Sequence, residues 1–127
     1  MNEFISYEKK LGRLCDFIVE YDFIENQQDY QVTLSQGMRS DFCYEDDFDS
    51  GMIHMIWPEF EDEIGELIKY TDTPILNHGR ARMWIMEEEQ RSKHKERLEL
   101  GQVVFFVAGS HKIAKATVVE IVGLNSL

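Results

Sequence analysis

The C-terminal part of the chain carries its clearest pattern of apolar and polar positions. An apolar run over Val103–Val107 is followed by Gly109 and Ser110, and then by Ile113–Leu124, in which apolar and polar side chains alternate. Two β-rich runs joined by a short Gly-containing turn are typical of a β-hairpin. The alternation allows one face of the second strand to contact a core while the other reaches solvent. We therefore predict a C-terminal hairpin.

Apolar residues in the N-terminal part recur at helical spacing instead. They fall three or four positions apart and predict one apolar stripe on a helix over residues 1–25; they are Phe4, Tyr7, Leu11, Leu14, Ile18 and Tyr21. We expect the stripe to pack on the body of this protein or, alternatively, on a second copy, which would give a homodimer through the helix. Residues 25–29 are polar and read as a connection.

Between the helix and the hairpin, the pattern predicts further strands separated by turn residues. The strands are predicted over Tyr30–Leu34, Arg39–Tyr44, Met52–Trp57 (ending at Pro58), Glu66–Tyr70 and Ala81–Met86, with a turn over Asp46–Gly51 and a helical turn within Glu87–Leu98. A chain of 127 residues is long enough for one domain with a single core. We predict a mainly β domain, with an N-terminal helix over residues 1–25 and a β-barrel over residues 30–124.

Composition places the chain among folded globular proteins. Hydrophobic residues make up 43% and charged residues 29%, and no apolar run approaches the roughly 20 residues that span a bilayer. The start Met1–Phe4 lacks the basic region of a signal peptide, so we expect no membrane association and a cytoplasmic location. Cys15 and Cys43 form no CxxC motif, and we expect both to be reduced thiols.

The net charge of −11 changes the functional picture, because it argues against a large nucleic-acid footprint. The charge is also segregated along the chain. Ten acidic residues and no Lys or Arg lie between Asp41 and Glu66, whereas six of the thirteen basic residues lie between Arg80 and Arg97. The acidic segment is either a set of solvated loops that keep the protein in solution or a face that attracts a cationic partner.

Two sets of motifs resemble a known barrel. Gly37-x-Arg39-x-x-Phe42-x-Tyr44 is similar to a strand in the C-terminal β-barrel of elongation factor Tu. The end of that barrel resembles His94-x-x-Arg97-Leu98-x-x-Gly101, the following β run, and Gly109-x-x-Lys112-Ile113-Ala114-x-Ala116-x-Val118. The resemblance implies a small closed six-stranded barrel of Greek-key type over about residues 30–124. No GxxxxGK[ST] motif occurs, so the GTPase module of that protein is absent.

The resemblance also implies surfaces. In elongation factor Tu this barrel helps to hold the transfer-RNA backbone and contacts the GTPase domain, which would put Arg39, His111 and Lys112 on or near such surfaces. In this chain Arg39 is followed by the acidic segment, which would repel phosphates. We therefore expect a free-standing barrel that contacts proteins.

Acidic and aromatic residues supply the partner-binding candidates, because clustered carboxylates attract cations and an exposed Trp makes a binding hot spot. These candidates are Glu45, Asp46, Asp47, Asp49, Trp57, Glu59, Glu61, Asp62 and Glu63. Asp47-x-Asp49-x-Gly51 has a fragment of calcium-loop spacing, but Trp57 occupies the position where the loop requires Glu. We predict no metal and no cofactor.

Basic residues supply the anion-binding candidates, namely Arg39, Arg80, Arg82 and Arg97. In a strand, Arg80, Arg82 and Trp84 would share one face, and Met83 and Ile85 the other. The alternative role of these arginines is to pair with the acidic loops.

Catalytic motifs are lacking. The four histidines are far apart in the sequence, neither Ser40 nor Ser110 lies in a G-x-S-x-G setting, and no metal-ligand spacing occurs. Our leading hypothesis is a non-enzymatic protein-interaction module whose acidic face binds a basic protein; an immunity protein that blocks a nuclease-type toxin is one form of it. An RNA-associated translation accessory that uses the basic patch Arg80–Arg97 is an alternative, and a small-ligand binder or enzyme at a barrel mouth is another.

Overall fold

Six strands and two short α-helices make up the regular structure of residues 2–24 and 32–127, which are the residues that the computed structural model describes. In chain order they are α1 (Tyr7–Leu11), β1 (Phe17–Phe23), β2 (Asp41–Tyr44), β3 (Ile56–Phe60), β4 (His78–Ile85), α2 (Arg91–Arg97), β5 (Val103–Ala108) and β6 (His111–Ile121). Short 3₁₀ helices occupy Glu45–Ser50, Glu88–Gln90 and Gly123–Ser126. The mainly β class is confirmed. Neither α1 nor α2 is long or apolar enough to cross a membrane.

The strands form one antiparallel sheet in the order β2-β5-β6-β1-β4-β3. The hairpin predicted at the C-terminal end is confirmed as β5 and β6, which turn at Gly109. In β6, Val119 is an extra residue between Val118 and Glu120, which pair with Val19 and Ile18 of β1. Such a bulge bends a strand and increases its twist, so it helps to curl the sheet.

The predicted closed barrel is wrong, because the curled sheet stops at a half-barrel. Its edge strand β2 meets the segment just before the other edge strand, β3, at one isolated bridge of the described residues, where Phe42 and His54 exchange backbone hydrogen bonds of 3.0 and 2.8 Å. Beyond this bridge, Pro58 of β3 has no N–H to donate. The Gln36 side chain bonds both the N–H and the C=O of Phe60, at 2.9 and 3.0 Å. Gln36 thus fills part of this edge, and the N–H of Ile68 also donates to the Phe60 C=O, at 3.1 Å.

The predicted helix over residues 1–25 is also wrong, except for the short helix α1 over Tyr7–Leu11. Helix α1 ends at Leu11 because Gly12 adopts a left-handed conformation with φ of 68°. Residues Phe17–Phe23 instead form β1, a central strand that pairs with both β4 and β6. Aromatic and β-branched residues favour this strand, and Phe17, Val19 and Tyr21 alternate into the core. The apolar stripe of a continuous helix therefore does not form, and the homodimer through the N-terminal helix stays a prediction.

Smaller differences concern where strands begin and end. Strand β3 begins at Ile56 and continues through Pro58, which an edge strand tolerates. Residues 66–70 form only isolated bridges, in which Leu67 pairs with Glu61 and Tyr70 with Glu3. The predicted connection over residues 25–29 and the start of the strand predicted at Tyr30 lie outside the described residues. The described remainder of that strand, residues 32–34, is not β.

The concave face of the sheet encloses an aromatic core. The rings of Tyr21 and Phe60 meet edge-to-face at 5.2 Å between centroids, and those of Phe42 and Phe17 at 5.8 Å. Such pairs stabilise a core beyond the area that they bury. The prediction that Met83 and Ile85 face the core is confirmed.

A buried carboxylate, that of Asp16, joins the start of β1 to the rest of the protein. Asp16 has no exposed surface, and its Oδ1 accepts a hydrogen bond of 2.7 Å from Nε of Arg91. Its Oδ2 accepts bonds from Nη1 of Arg13 at 3.0 Å and from the backbone N–H of Ile85 at 2.7 Å. One carboxylate thus holds β1, the end of β4 and helix α2 together.

We predict that Asp16→Asn destabilises the protein by about 3 kcal/mol, because an amide removes the charge and turns one acceptor into a donor that faces another donor. Urea unfolding followed by tryptophan fluorescence would measure the change. Asp22→Asn is the matched control, since Asp22 is exposed on the same strand and should cost less than about 0.5 kcal/mol. Equal stability of the two variants would contradict the role given to Asp16.

Candidate functional site

Three of the four predicted anion-binding arginines lie in ion pairs. The buried carboxylate of Glu61 binds Nε of Arg82 at 2.9 Å and Nε of Arg80 at 3.3 Å. Arg97 binds Asp46 at 2.8 Å and Asp47 at 2.7 Å. Carboxylates of the same protein therefore balance their positive charges. This agrees with the alternative role considered above, in which these arginines pair with acidic residues.

Arg39 and Trp57 have a different environment. The guanidinium carbon of Arg39 lies 5.0 Å from the ring centroid of Trp57, a cation–π contact. The half-buried Trp57 ring also packs against Tyr7 of α1, with 6.1 Å between centroids. Arg39 and Trp57 thus lie together beside α1, and not with the acidic residues that are near them in the sequence.

Glu59, predicted to lie on an acidic surface, is fully buried instead. Its carboxylate accepts hydrogen bonds from the backbone N–H of Tyr7 at 2.6 Å and from Nε1 of Trp84 at 2.8 Å. Burial raises its pKa, and the two hydrogen bonds oppose this rise. Glu59 holds α1 against the convex side of the sheet and is not available to a partner.

The remaining acidic candidates fall on two separate surfaces. The first, which we call the methionine-rich surface, consists of Glu45, Asp49, Met52, Ile53 and Met55. Met52, Ile53 and Met55 precede β3 and are 54%, 45% and 43% exposed. A cavity of about 580 Å³ opens between Ile53, Asp49 and the β5–β6 turn. The apolar side chain of Ile53 and the carboxylate of Asp49 therefore meet at this cavity.

The second surface, which we call the Ile64 groove, consists of Asp62, Glu63, Ile64, Pro74 and Leu76. It holds a cavity of about 340 Å³. Ile64 is 78% exposed and Leu76 is 48% exposed. Glu61 also borders this groove, but Arg80 and Arg82 neutralise its charge.

A third cluster brings together side chains that are far apart in sequence: Tyr44, His54, His94, Arg97 and Asp47. Tyr44 Oη and His94 Nδ1 are hydrogen-bonded at 2.7 Å, and the two histidine rings meet edge-to-face at 4.7 Å. The Arg97 guanidinium stacks on Tyr44 at 3.8 Å. Sequence reasoning treated the histidines as unconnected, and the i, i+3 spacing of His94 and Arg97 on one helix was the only local signal.

This cluster joins α2 to the end of β2 and the segment before β3. Nε2 of His54 is buried and has no hydrogen-bond partner among the described residues. In residues 2–24 and 32–127, no three His, Cys, Asp or Glu side chains come close enough to hold a metal ion. The hydrogen bond between Tyr44 and His94 and the contact between the two histidine rings make these connections.

The two cysteines are buried free thiols on different parts of the sheet. Burial raises the pKa of Cys15 to about 12 and also raises that of Cys43. A thiol is a nucleophile only when it is deprotonated, so neither side chain has nucleophilic character at neutral pH.

The buried histidines make stability depend on pH. Burial, then His54 and Arg97, lower the pKa of His94 to about 4, and burial also lowers the pKa of His54. Histidine in an unfolded chain has a pKa of about 6.5. Between these two values the unfolded state binds more protons than the folded state, so the free energy of unfolding falls as pH falls.

We predict that His94→Asn reduces this pH dependence, because asparagine can occupy the Nδ1 position beside Tyr44 but does not titrate. Between about pH 7 and pH 4 the natural protein should lose on the order of 3 kcal/mol more than the variant. Urea unfolding at four or five pH values would measure both curves. His78→Asn, at an exposed position of β4, is the control. Parallel curves for the natural protein and His94→Asn would show the prediction to be wrong.

No model of a protein family matches this chain, and no curated protein matches it in sequence. The relationship to the C-terminal barrel of elongation factor Tu that its motifs imply therefore stays a prediction. The surfaces described above are the basis for proposing a function.

Proposed function

We propose that this protein is a non-enzymatic interaction module whose methionine-rich surface binds a basic protein. The observation that carries the proposal is that exposed Ile53 and Asp49, a carboxylate with no ion pair among the described residues, line one cavity. Exposed Met52 and Met55 flank Ile53 in sequence. An apolar patch with a polar rim is typical of protein-binding surfaces.

The apolar part of the surface has the chemistry of an adaptable contact. Met52, Ile53 and Met55 lie on the irregular segment that leads into β3. Methionine side chains are flexible and polarisable, so they can fit partners of irregular shape. The neighbouring cavity of about 580 Å³ could receive an apolar side chain from the partner.

The acidic part of the surface favours a cationic partner. Asp46 and Asp47 are paired with Arg97, but Glu45 and Asp49 are exposed and form no ion pair with the described residues. These two carboxylates, in a chain of net charge −11, would attract a basic protein and orient it during association. Of the acidic residues predicted to contact a partner, we therefore assign Glu45 and Asp49 to this surface.

The same charges favour a protein partner over RNA. Phosphate binding requires basic side chains without counter-ions, whereas Arg80, Arg82 and Arg97 each contact a carboxylate. Binding is also favoured over catalysis, because the thiol that borders the cavity, Cys43, has a raised pKa. An immunity protein that blocks a nuclease-type toxin remains one concrete form of such a module.

We predict that Glu45→Lys with Asp49→Lys lowers capture of the basic partner at least about tenfold, a loss of about 1.4 kcal/mol. Tagged protein would capture proteins from native lysate with and without nuclease treatment, and quantitative mass spectrometry would compare the variants. Glu63→Lys with Glu66→Lys is the matched control, because it makes the same charge change on the other acidic surface and should retain this partner.

Met52→Ser with Ile53→Ser should also lower capture, since it removes apolar contact without changing charge. Recovery of the same proteins by all variants would refute the methionine-rich surface as a binding site. Recovery of nucleic-acid-bound proteins that disappear on nuclease treatment, with no basic protein retained, would favour the RNA alternative.

A further inference from the structure

We infer that the Ile64 groove is a second binding site, which takes an apolar side chain from a short basic peptide segment. The site shares no residue with the methionine-rich surface and does not depend on the function proposed for that surface. The observation that supports this inference is that Ile64 is exposed to solvent at the rim of a preformed, acidic groove.

One wall of the groove is a loop fixed by its own hydrogen bonds. Oδ1 of Asp62 accepts bonds from the backbone N–H groups of Ile64 at 3.0 Å and Glu66 at 2.9 Å. The N–H of Asp62 donates to the C=O of Glu66 at 2.7 Å, and Gly65 adopts a φ of 86° that allows the tight turn. This loop keeps Ile64 turned outward.

The other wall is anchored to the core. The buried Tyr21 donates a hydrogen bond of 3.0 Å from its hydroxyl group to the C=O of Leu76. Ile68, which is buried, lines the floor between the walls. Because both walls are already in place, a ligand would not have to order them, and preorganisation of this kind favours binding.

Charge and size indicate the class of ligand. Glu63 lines the groove, and Glu66 lies in the same loop, bonded to Asp62. Both are exposed and form no ion pair with the described residues, so this side of the groove is acidic. The cavity of about 340 Å³ lies at the lower end of the range for ligand pockets, suited to one or two apolar side chains. A second copy of this chain is a poor occupant because it carries the same net charge of −11. A peptide with an apolar centre and basic flanks complements both the floor and the rim.

The test uses the synthetic peptide Lys-Arg-Leu-Phe-Lys-Arg and the charge-matched peptide Lys-Arg-Ser-Gly-Lys-Arg. Each is titrated into the ¹⁵N-labelled full chain, and amide chemical shifts are followed by NMR. The apolar-centred peptide should shift resonances of residues 61–76 and bind at least about tenfold more tightly than the polar-centred peptide.

We predict that Ile64→Ser weakens binding of the apolar-centred peptide at least about tenfold, and that Glu63→Gln with Glu66→Gln weakens it and reduces its salt dependence. Leu100→Ser is the control, because Leu100 is 66% exposed but lies outside the groove, before β5. Each of these variants changes exposed side chains only, and the NMR spectrum of each would verify its fold.

Three results would overturn the inference: equal affinity for the two peptides, shifts confined to the methionine-rich surface, or unchanged binding by Ile64→Ser. The variant Glu45→Lys with Asp49→Lys keeps the two proposals separate. It should bind the apolar-centred peptide at the Ile64 groove like the natural protein, whether or not the methionine-rich surface has a partner.

Discussion

The buried carboxylate of Asp16 is the constraint on which the arrangement of this protein depends. It accepts hydrogen bonds from Arg91 of α2, from Arg13 and from the backbone of β4. The backbone C=O of Asp16 also accepts a bond of 3.0 Å from the N–H of Val122, at the end of β6. Burying a charge is costly unless it is paired and hydrogen-bonded, so these elements are fixed relative to one another by a group that tolerates little displacement.

The position of α2 determines, in turn, where the carboxylates of the methionine-rich surface lie. His94 and Arg97 lie on the side of α2 that faces Tyr44 at the end of β2. Arg97 then holds the start of the Glu45–Ser50 helix through Asp46 and Asp47. A buried ion pair at one end of α2 thus positions the residues from which Glu45 and Asp49 extend into solvent.

Internal pairing also explains why several of the predicted binding candidates are not available to a partner. Arg80, Arg82 and Arg97 each bind carboxylates, and Glu59 lies beneath α1. An ion pair on a protein surface contributes little to stability, but it removes both charges from the long-range field. What distinguishes the methionine-rich surface and the Ile64 groove is that an exposed carboxylate without an ion pair among the described residues lines a cavity together with an exposed isoleucine.

The sequence was sufficient to predict the elements that local pattern determines. The β5–β6 hairpin, β4 and the helical turn around Arg91–Arg97 are found as predicted, because alternation and turn residues specify them locally. The prediction of a long N-terminal helix was wrong because residues 14–21 fit both a helical spacing and the alternation of a strand. Pairing with β4 and β6, which is a non-local contact, decided between them.

The candidate site was predictable in composition but not in geometry. The acidic residues were recognised, yet the burial of Glu59 depends on Tyr7 and Trp84, which are distant in sequence. The His54–His94 contact likewise exists only because the chain brings the β2–β3 edge to α2. Single-sequence patterns contain no information on such pairs, since nothing in the spacing of the residues relates them.

The incomplete closure of the sheet gives the methionine-rich surface its place. Exposed edge strands tend to pair with other chains, and proteins commonly protect them. Here Gln36 and Pro58 protect the far end of β3, whereas the segment before β3 is joined to β2 by the bridge of Phe42 with His54. Met52 and Ile53 lie just before that bridge, in an irregular segment in which their apolar side chains are exposed. The exposed apolar side chains thus lie beside the bridge at which the two edges of the half-barrel meet.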